Sequence, residues 1–353
     1  MRSTIKKRLN LLPMKQVLAF LKLIRFPNLL IIAFTQYMVR YCILYPGIKA
    51  TEQVLGEYCL SLPAGGMQFL MSNVDFFLLS LCTVMIAAAG YIINDYFDVR
   101  IDRINKPDQI VIDKAIKRRV AMGAHLVINI LAFAIGLWLS WKYHFFYFGS
   151  FIFGISIILL WVYSTNLKRM FLLGNLAVAF LTGFVPLIVA LFELPLQLRE
   201  NSHCFILAKT NMNTLFAIVL VFSLFAFLVT LIREIIKDIE DMEGDQENGC
   251  TTLAVTWGAS VSKKIVAALA LFVVLVLADI QIHQYAAGDK WAFLYFLVAL
   301  QIPFLLLIVR LLTAKEKKHF TFAGGLSKVI MLAGICYLFL YSHHLLQVLY
   351  ENQ

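Results

Sequence analysis

Residues 76–95 read FFLLSLCTVMIAAAGYIIND, and the chain continues YFDVRID to Asp102. The block carries no charge until Asp95. At about 1.5 Å of helical rise per residue it crosses roughly 30 Å, the thickness of a bilayer's hydrocarbon core. Working outward, similar blocks predict helices over 27–45, 120–141, 144–163, 170–192, 213–233, 263–284, 290–312 and 326–349. Backbone in lipid must satisfy its own hydrogen bonds, and blocks of this length exceed barrel strands, so helices are the consistent choice. The composition agrees: 61% hydrophobic and 15% charged, with a mean hydropathy of +0.81. A soluble chain carries about 25% charged residues, so this one cannot build a polar skin. The expected class is all-α and integral to a membrane, with about nine transmembrane helices. No Pro/Gly/Ser-rich linker divides the chain, so residues 1–353 are expected to form one membrane domain, with a short basic segment at 1–26. The connections 46–75 and 193–212 are predicted as loops away from the chemistry. The six cysteines (Cys42, Cys59, Cys82, Cys204, Cys250, Cys336) contain no C-x-x-C pair and read as buried free thiols. The first apolar block lacks a small-residue cleavage site, so no cleavable signal peptide is expected.

Charge sets the orientation. With nine spans, all but six of the 31 Lys and Arg residues fall on one side. That side holds Arg2, Lys6, Lys7 and Arg8, the 96–119 loop, Lys168 and Arg169, and the basic residues around 233–237, 263–264 and 310–328. The exceptions are Arg40, Lys49, Lys142, Arg199, Lys209 and Lys290. Positive loops mark the cytoplasmic side, so the basic side and the chemistry on it are expected to face the cytoplasm of a bacterial inner membrane. The net charge of +10 then reflects topology and contact with anionic headgroups. Nucleic-acid binding is excluded for want of a soluble basic domain.

The 21 acidic residues are few and clustered. Asn94, Asp95, Asp98 and Asp102 end the second predicted helix. Asn94, Asp98 and Asp102 are spaced four apart, so on a helix they drift by about 40° per step and share one face. Glu234, Asp238, Asp241 and Asp245 end the sixth and share an arc of about 60° if the helix continues. Glu240 and Glu243 then point to solvent. Like charges stacked at helical spacing repel, and acids at a membrane edge are functional candidates. Oxygen-only donors without His or Cys favour a hard ion such as Mg²⁺. Two facing carboxylate rows would therefore grip a diphosphate through metal ions. The competing reading is a pair of solvated juxtamembrane helices. Confinement of the acids to matched faces counts against it.

Cations beside these motifs suit a leaving diphosphate. Lys117, Arg118 and Arg119 follow the first motif, Lys168 and Arg169 follow Tyr163-Ser164, and Arg233 and Lys237 lie in the second. Positive-inside topology is the better account of any one of them taken singly, and Lys117, Lys168 and Lys237, nearest the motif residues in sequence, stand above the rest. Ser164 has no sequence partners suggesting a triad, and the seven histidines show no metal spacing. A cation transporter or channel would instead place acids along the apolar spans, and none lies at mid-span.

Asn94-Asp95-x-x-Asp98-x-x-x-Asp102 resembles the first aspartate-rich motif of the UbiA-type prenyltransferase superfamily. Tyr163-Ser164-x-x-Leu167-Lys168-Arg169 is similar to its Y-S-x-x-L-K segment. Lys237-Asp238-Ile239-Glu240-Asp241-x-x-Gly244-Asp245, followed by Thr252-Leu253, resembles its second motif in the branch containing digeranylgeranylglyceryl phosphate synthases. Arg25-x-x-Asn28 also fits. The resemblance implies nine helices around a central cavity, with a cytoplasmic cap over Mg²⁺ sites and a prenyl tail in a channel open to lipid. It implies transfer of a polyprenyl group from a polyprenyl diphosphate to an acceptor. Asn94, Asp98, Asp102, Tyr163, Ser164, Asp238 and Asp241 are its expected catalytic residues. The metal ligands would be Asn94, Asp95, Asp98, Asp102, Glu234, Asp238, Asp241 and Asp245. The diphosphate would meet Arg25, Asn28, Lys117, Arg118, Lys168 and Lys237. Tyr91, Tyr96 and Tyr163 offer π faces to an allylic cation. The second motif lacks the D-x-x-Y-A of hydroxybenzoate enzymes, so the expected acceptor is lipid-like, geranylgeranylglyceryl phosphate. A quinone or haem precursor is the alternative.

Overall fold

The computed structural model describes residues 15–58, 66–201, 205–286 and 288–351. Arg2, Lys6, Lys7, Arg8, Cys59 and Cys204 lie outside the described residues. Among those described, nine helices are long and apolar enough to cross a membrane: α1 (Phe26–Gly56), α2 (Asn73–Asn105), α3 (Arg118–Lys142), α4 (Phe146–Thr165), α5 (Leu173–Glu200), α6 (Phe205–Glu240), α7 (Leu253–Ala286), α8 (Lys290–Leu312) and α9 (Lys317–Glu351). No strand occurs among the described residues. The protein is an integral, multi-pass, all-α membrane protein.

Each helix coincides with a predicted block, but most run longer. α2 extends through the whole first motif to Asn105. The connections expected at 46–75 and 193–212 are largely helical, because α1 continues to Gly56, α5 to Glu200, and α6 begins at Phe205. Several helices are irregular. α1 and α8 contain π turns at Val39–Leu44 and Phe296–Gln301, α5 carries Pro186 and Pro195, and Gly258 at φ 79° breaks α7. Cys42, Cys82 and Cys250 are buried free thiols, as expected, whereas Cys336 is half-buried.

The chain divides into two compact units. One contains the described residues up to Ala33, together with Val74–Gly174 and Glu243–Thr251. Here α3 packs on α4, with Gly136 pressed against the Phe153 ring and Gly90 of α2 against Leu160. Buried Asp75, in the first turn of α2, accepts from Lys142 Nζ at 2.7 Å and from the Tyr143 hydroxyl at 2.6 Å. At the opposite end of α2, Leu23, Ile92, Val99, Val111, Ile112 and Ala121 form a small apolar core. It seats the 106–117 loop beside the first motif.

The other unit contains Phe34–Asn73, Asn175–Met242 and the chain from Thr252. There α6 packs against α7 and α9, and Gly183 of α5 lets that helix approach the Ser223 carbonyl. The segment before α2 is clamped by buried polar groups. Glu193 accepts from the backbone N–H groups of Leu70 at 2.7 Å and Met71 at 3.3 Å. Arg40, 1% exposed, donates to the Met71 carbonyl at 2.6 Å and lies 4.2 Å from the Phe69 ring centroid. Fully buried polar groups need such partners.

Candidate functional site

The first motif is built on the last three turns of α2. Helical spacing places Asn94 and Asp98 on one buried face, 8% and 7% exposed, with Asp102 half-buried one turn on. Asn94 Nδ2 donates to Asp98 Oδ2 at 2.9 Å. Lys168 Nζ donates to Asp98 Oδ1 and forms an ion pair with it. That lysine sits in a tight 3₁₀ turn, Leu167–Arg169, directly after α4. The turn is braced by Gly174, whose hydrogen lies against Lys168 and Leu167. It is also tied down from Thr251, whose N–H and hydroxyl both donate to the Arg169 carbonyl.

Asp95 belongs to the neighbouring face. It accepts from Arg25 Nη2 at 2.9 Å, while the same guanidinium lies 4.9 Å from the Tyr91 ring centroid. Asn28 reaches the Tyr91 hydroxyl at 3.4 Å. Arg25 has a positive φ of 51°, where the chain turns from the helix over residues 15–23 into α1. One unit therefore brings together Arg25, Asn28, Tyr91, Asn94, Asp95, Asp98 and Lys168. Lys117 is exposed, and Arg118 pairs with Asp113 at 3.0 Å and lies 5.5 Å from the Tyr96 ring centroid. Tyr163 is half-buried. The buried Ser164 hydroxyl donates to the Leu160 carbonyl at 2.9 Å, a bond within its own helix.

The second motif differs from expectation. α6 ends at Glu240, Asp241 occupies a turn, and a short helix resumes at Met242–Glu247. The Gly244 N–H, which a continuous helix would return to Glu240, goes instead to Asn105 Oδ1 at 3.1 Å. The four-acid face therefore stops at the α6 terminus, and Asp245 falls in the unit containing the first motif. Glu240, expected in solvent, is half-buried and accepts from Thr321 at 3.0 Å. Glu243 is exposed, as expected. Glu234 is buried between Arg233 and Lys237, at 2.5 and 3.8 Å. Asp238 accepts from Asn175 Nδ2 at 2.8 Å. Asn105 and Asn175 escape a reading based on charge; the signal that marks them is an isolated carboxamide, Asn175 among the apolar residues that open α5 and Asn105 one turn beyond Asp102.

The donor chemistry fits a hard cation. Asn94 Oδ1 is buried and has no hydrogen-bond partner among the described residues, which leaves an oxygen donor beside Asp98. No three Asp, Glu, His or Cys side chains form a metal cage among the described residues. Mg²⁺ rarely needs one, since it commonly takes one or two carboxylates plus waters and substrate phosphates.

A family model described as the UbiA prenyltransferase family matches residues 59–335. The chain belongs to the UbiA prenyltransferase family. Digeranylgeranylglyceryl phosphate synthase from Thermococcus sibiricus is 34% identical over 176 residues, 50% of this chain and 54% of that protein. The protein of the same name from Sulfolobus acidocaldarius is 31% identical over 254 residues, 72% of this chain and 81% of that one. The match thus spans little more than half the length of some curated relatives and most of others. Among solved structures, one concerning digeranylgeranylglyceryl phosphate synthase in membranes superimposes with a TM-score of 0.56 at 22% identity, covering 92% of this chain and 98% of that one. A UbiA homologue from Aeropyrum pernix K1 gives 0.54 at 14%, covering 86% and 96%. These two likenesses support the UbiA fold.

Proposed function

We propose that this UbiA-family protein transfers a geranylgeranyl group from its diphosphate to geranylgeranylglyceryl phosphate, with Mg²⁺ as cofactor and the reaction on the cytoplasmic face. The observation that carries the reading is the buried cluster of Asn94, Asp98 and Lys168 at one end of a membrane-spanning helix. Acid, carboxamide and ammonium are costly to bury there without a ligand to serve. Within one unit, Asn94, Asp98 and Asp102 of the first motif would hold Mg²⁺; within the other, Asp238 and Asp241 of the second motif would do so. When bound, the ion neutralises charge on the leaving diphosphate.

The chain's own groups account for the rest. Lys168 and Arg25 each hold a carboxylate, and ammonium and guanidinium groups are the usual partners of phosphate oxygens. Asn28 and Tyr91 keep Arg25 in place. Tyr163, half-buried near the end of α4, would favour cationic character at the allylic carbon through its π system. The acceptor hydroxyl attacks the allylic carbon as the C–O bond to diphosphate breaks, and the hydroxyl proton passes to the released diphosphate, while the prenyl tail would stay in the apolar surroundings of the spans.

The relatives' shared name supports the acceptor, because a digeranylgeranylglyceryl phosphate is a glyceryl phosphate with two geranylgeranyl groups. The basic loops support the orientation. Purified protein supplied with geranylgeranyl diphosphate and either geranylgeranylglyceryl phosphate or 4-hydroxybenzoate tests the assignment. Prenylation of the glyceryl phosphate is expected. Prenylation of the benzoate alone would overturn the acceptor, and absence of transfer to any prenyl acceptor would overturn the activity.

A further inference from the structure

The two motifs differ at one equivalent position. In the first, the residue four before Asp98 is Asn94, whose carboxamide donates to the carboxylate at 2.9 Å. In the second, the residue four before Asp238 is Glu234. An ionised acid has no proton to donate, and Glu234 is itself held by Arg233 and Lys237. The missing carboxamide comes from a different helix. Asn175, in the first turn of α5, donates from Nδ2 to Asp238 Oδ2 at 2.8 Å.

Asn175 is 7% exposed, and burying an amide donor costs free energy unless it is hydrogen-bonded, as its Nδ2 is here. A neutral donor to a carboxylate gives a short, charge-assisted bond. It fixes the rotation of the carboxyl group without itself bringing a charge to it. Partners of metal-binding carboxylates commonly work in this way, and their loss weakens metal binding by about 10- to 100-fold.

We propose that Asn175 is a positioning residue for the second motif, orienting Asp238 toward a divalent cation as Asn94 orients Asp98. This rests on the reading above that Asp238 takes part in Mg²⁺ binding.

Full-length protein in lipid nanodiscs, titrated with Mn²⁺ and followed by electron paramagnetic resonance, separates the possibilities. The variants are Asn175→Ala, the isosteric Asn175→Asp, Asp238→Asn, and Asn175→Ala combined with Asp238→Asn. Metal-free melting temperature is recorded for each. Asn175→Ala is expected to weaken Mn²⁺ binding by about 10- to 100-fold and to raise the Mg²⁺ concentration for half-maximal transfer in parallel. Asn175→Asp, which replaces the donor with a second negative charge, should do the same. Asn175→Ala should add nothing in the Asp238→Asn background, whereas a merely structural residue would lower the melting temperature in both backgrounds and leave Mn²⁺ binding alone. If Asn175→Ala fails to fold, Asn175→Asp carries the decision. Wild-type Mn²⁺ binding in the Asn175 variants, with binding lost in Asp238→Asn, would overturn the role of Asn175 alone. Wild-type binding in Asp238→Asn would overturn the metal reading and this inference with it.

Discussion

Replacing Gly174 with alanine tests whether the turn that carries Lys168 must sit where it does. A Cβ there would meet Lys168 Cα at 2.6 Å, the Leu167 carbonyl oxygen at 2.9 Å and Lys168 N at 3.1 Å. These are backbone atoms, so no side-chain rotation relieves the overlap. Ordinary contact begins at 3.4 Å, and the 3₁₀ turn must therefore retreat by about 0.8 Å or α5 must shift. Overpacking of this kind costs about 1–3 kcal/mol. A misplacement near 1 Å at a reacting group costs on the order of 100-fold in rate. We expect Gly174→Ala to lower turnover by about 10- to 100-fold with a modest fall in melting temperature. Gly324→Ala is the control, since a Cβ at that position in α9 meets nothing within 4 Å among the described residues. It should leave turnover intact and gain up to about 1 kcal/mol from reduced chain entropy. The assay is radiolabelled prenyl transfer in nanodiscs alongside thermal unfolding. Wild-type turnover and stability in Gly174→Ala would refute the claim that this turn fixes Lys168.

Asp98→Asn and Asp238→Asn should each remove most transfer activity while the protein stays inserted and folded, and EDTA should do so in the wild type; full turnover in any of the three would sink the metal assignment. Lys168→Met removes the cation paired with a largely buried carboxylate. Turnover should fall by about 100-fold or more and the melting temperature should drop, so an unchanged kcat would remove Lys168 from the reaction centre. Glu193→Ala strips two backbone N–H groups of their acceptor, which should cost about 1–3 kcal/mol per group left unsatisfied. Thermal unfolding checks this, and wild-type stability would show that the clamp on residues 70–71 is dispensable.

The spans were legible because lipid imposes one rule along the whole chain: about 20 apolar residues for each crossing. Their ends were not, for the same reason. Hydropathy reports the hydrocarbon core, whereas helical hydrogen bonding continues into the headgroup region and beyond. Residues 96–105 carry four charged side chains and are still helical in α2, and residues 193–200 extend α5 past its predicted end. The π turns and the break at Gly258 involve single-residue register changes that no hydrophobic pattern records.

At the site, charge was readable and geometry only partly so. Helical spacing correctly placed Asn94 and Asp98 on one face because α2 runs unbroken through both. The same arithmetic failed beyond Asp238. It assumed that α6 continued to Asp245, whereas the Gly244 N–H is captured by Asn105, a residue 139 positions earlier. A helix periodicity has no information about such a partner. Asn175 was invisible for a related reason. A charge-based search looks for cations to balance acids, but a group that orients an acid without neutralising it must be uncharged. In an apolar span a single carboxamide then resembles a tolerated polar residue. The 2.8 Å bond to Asp238 distinguishes the two.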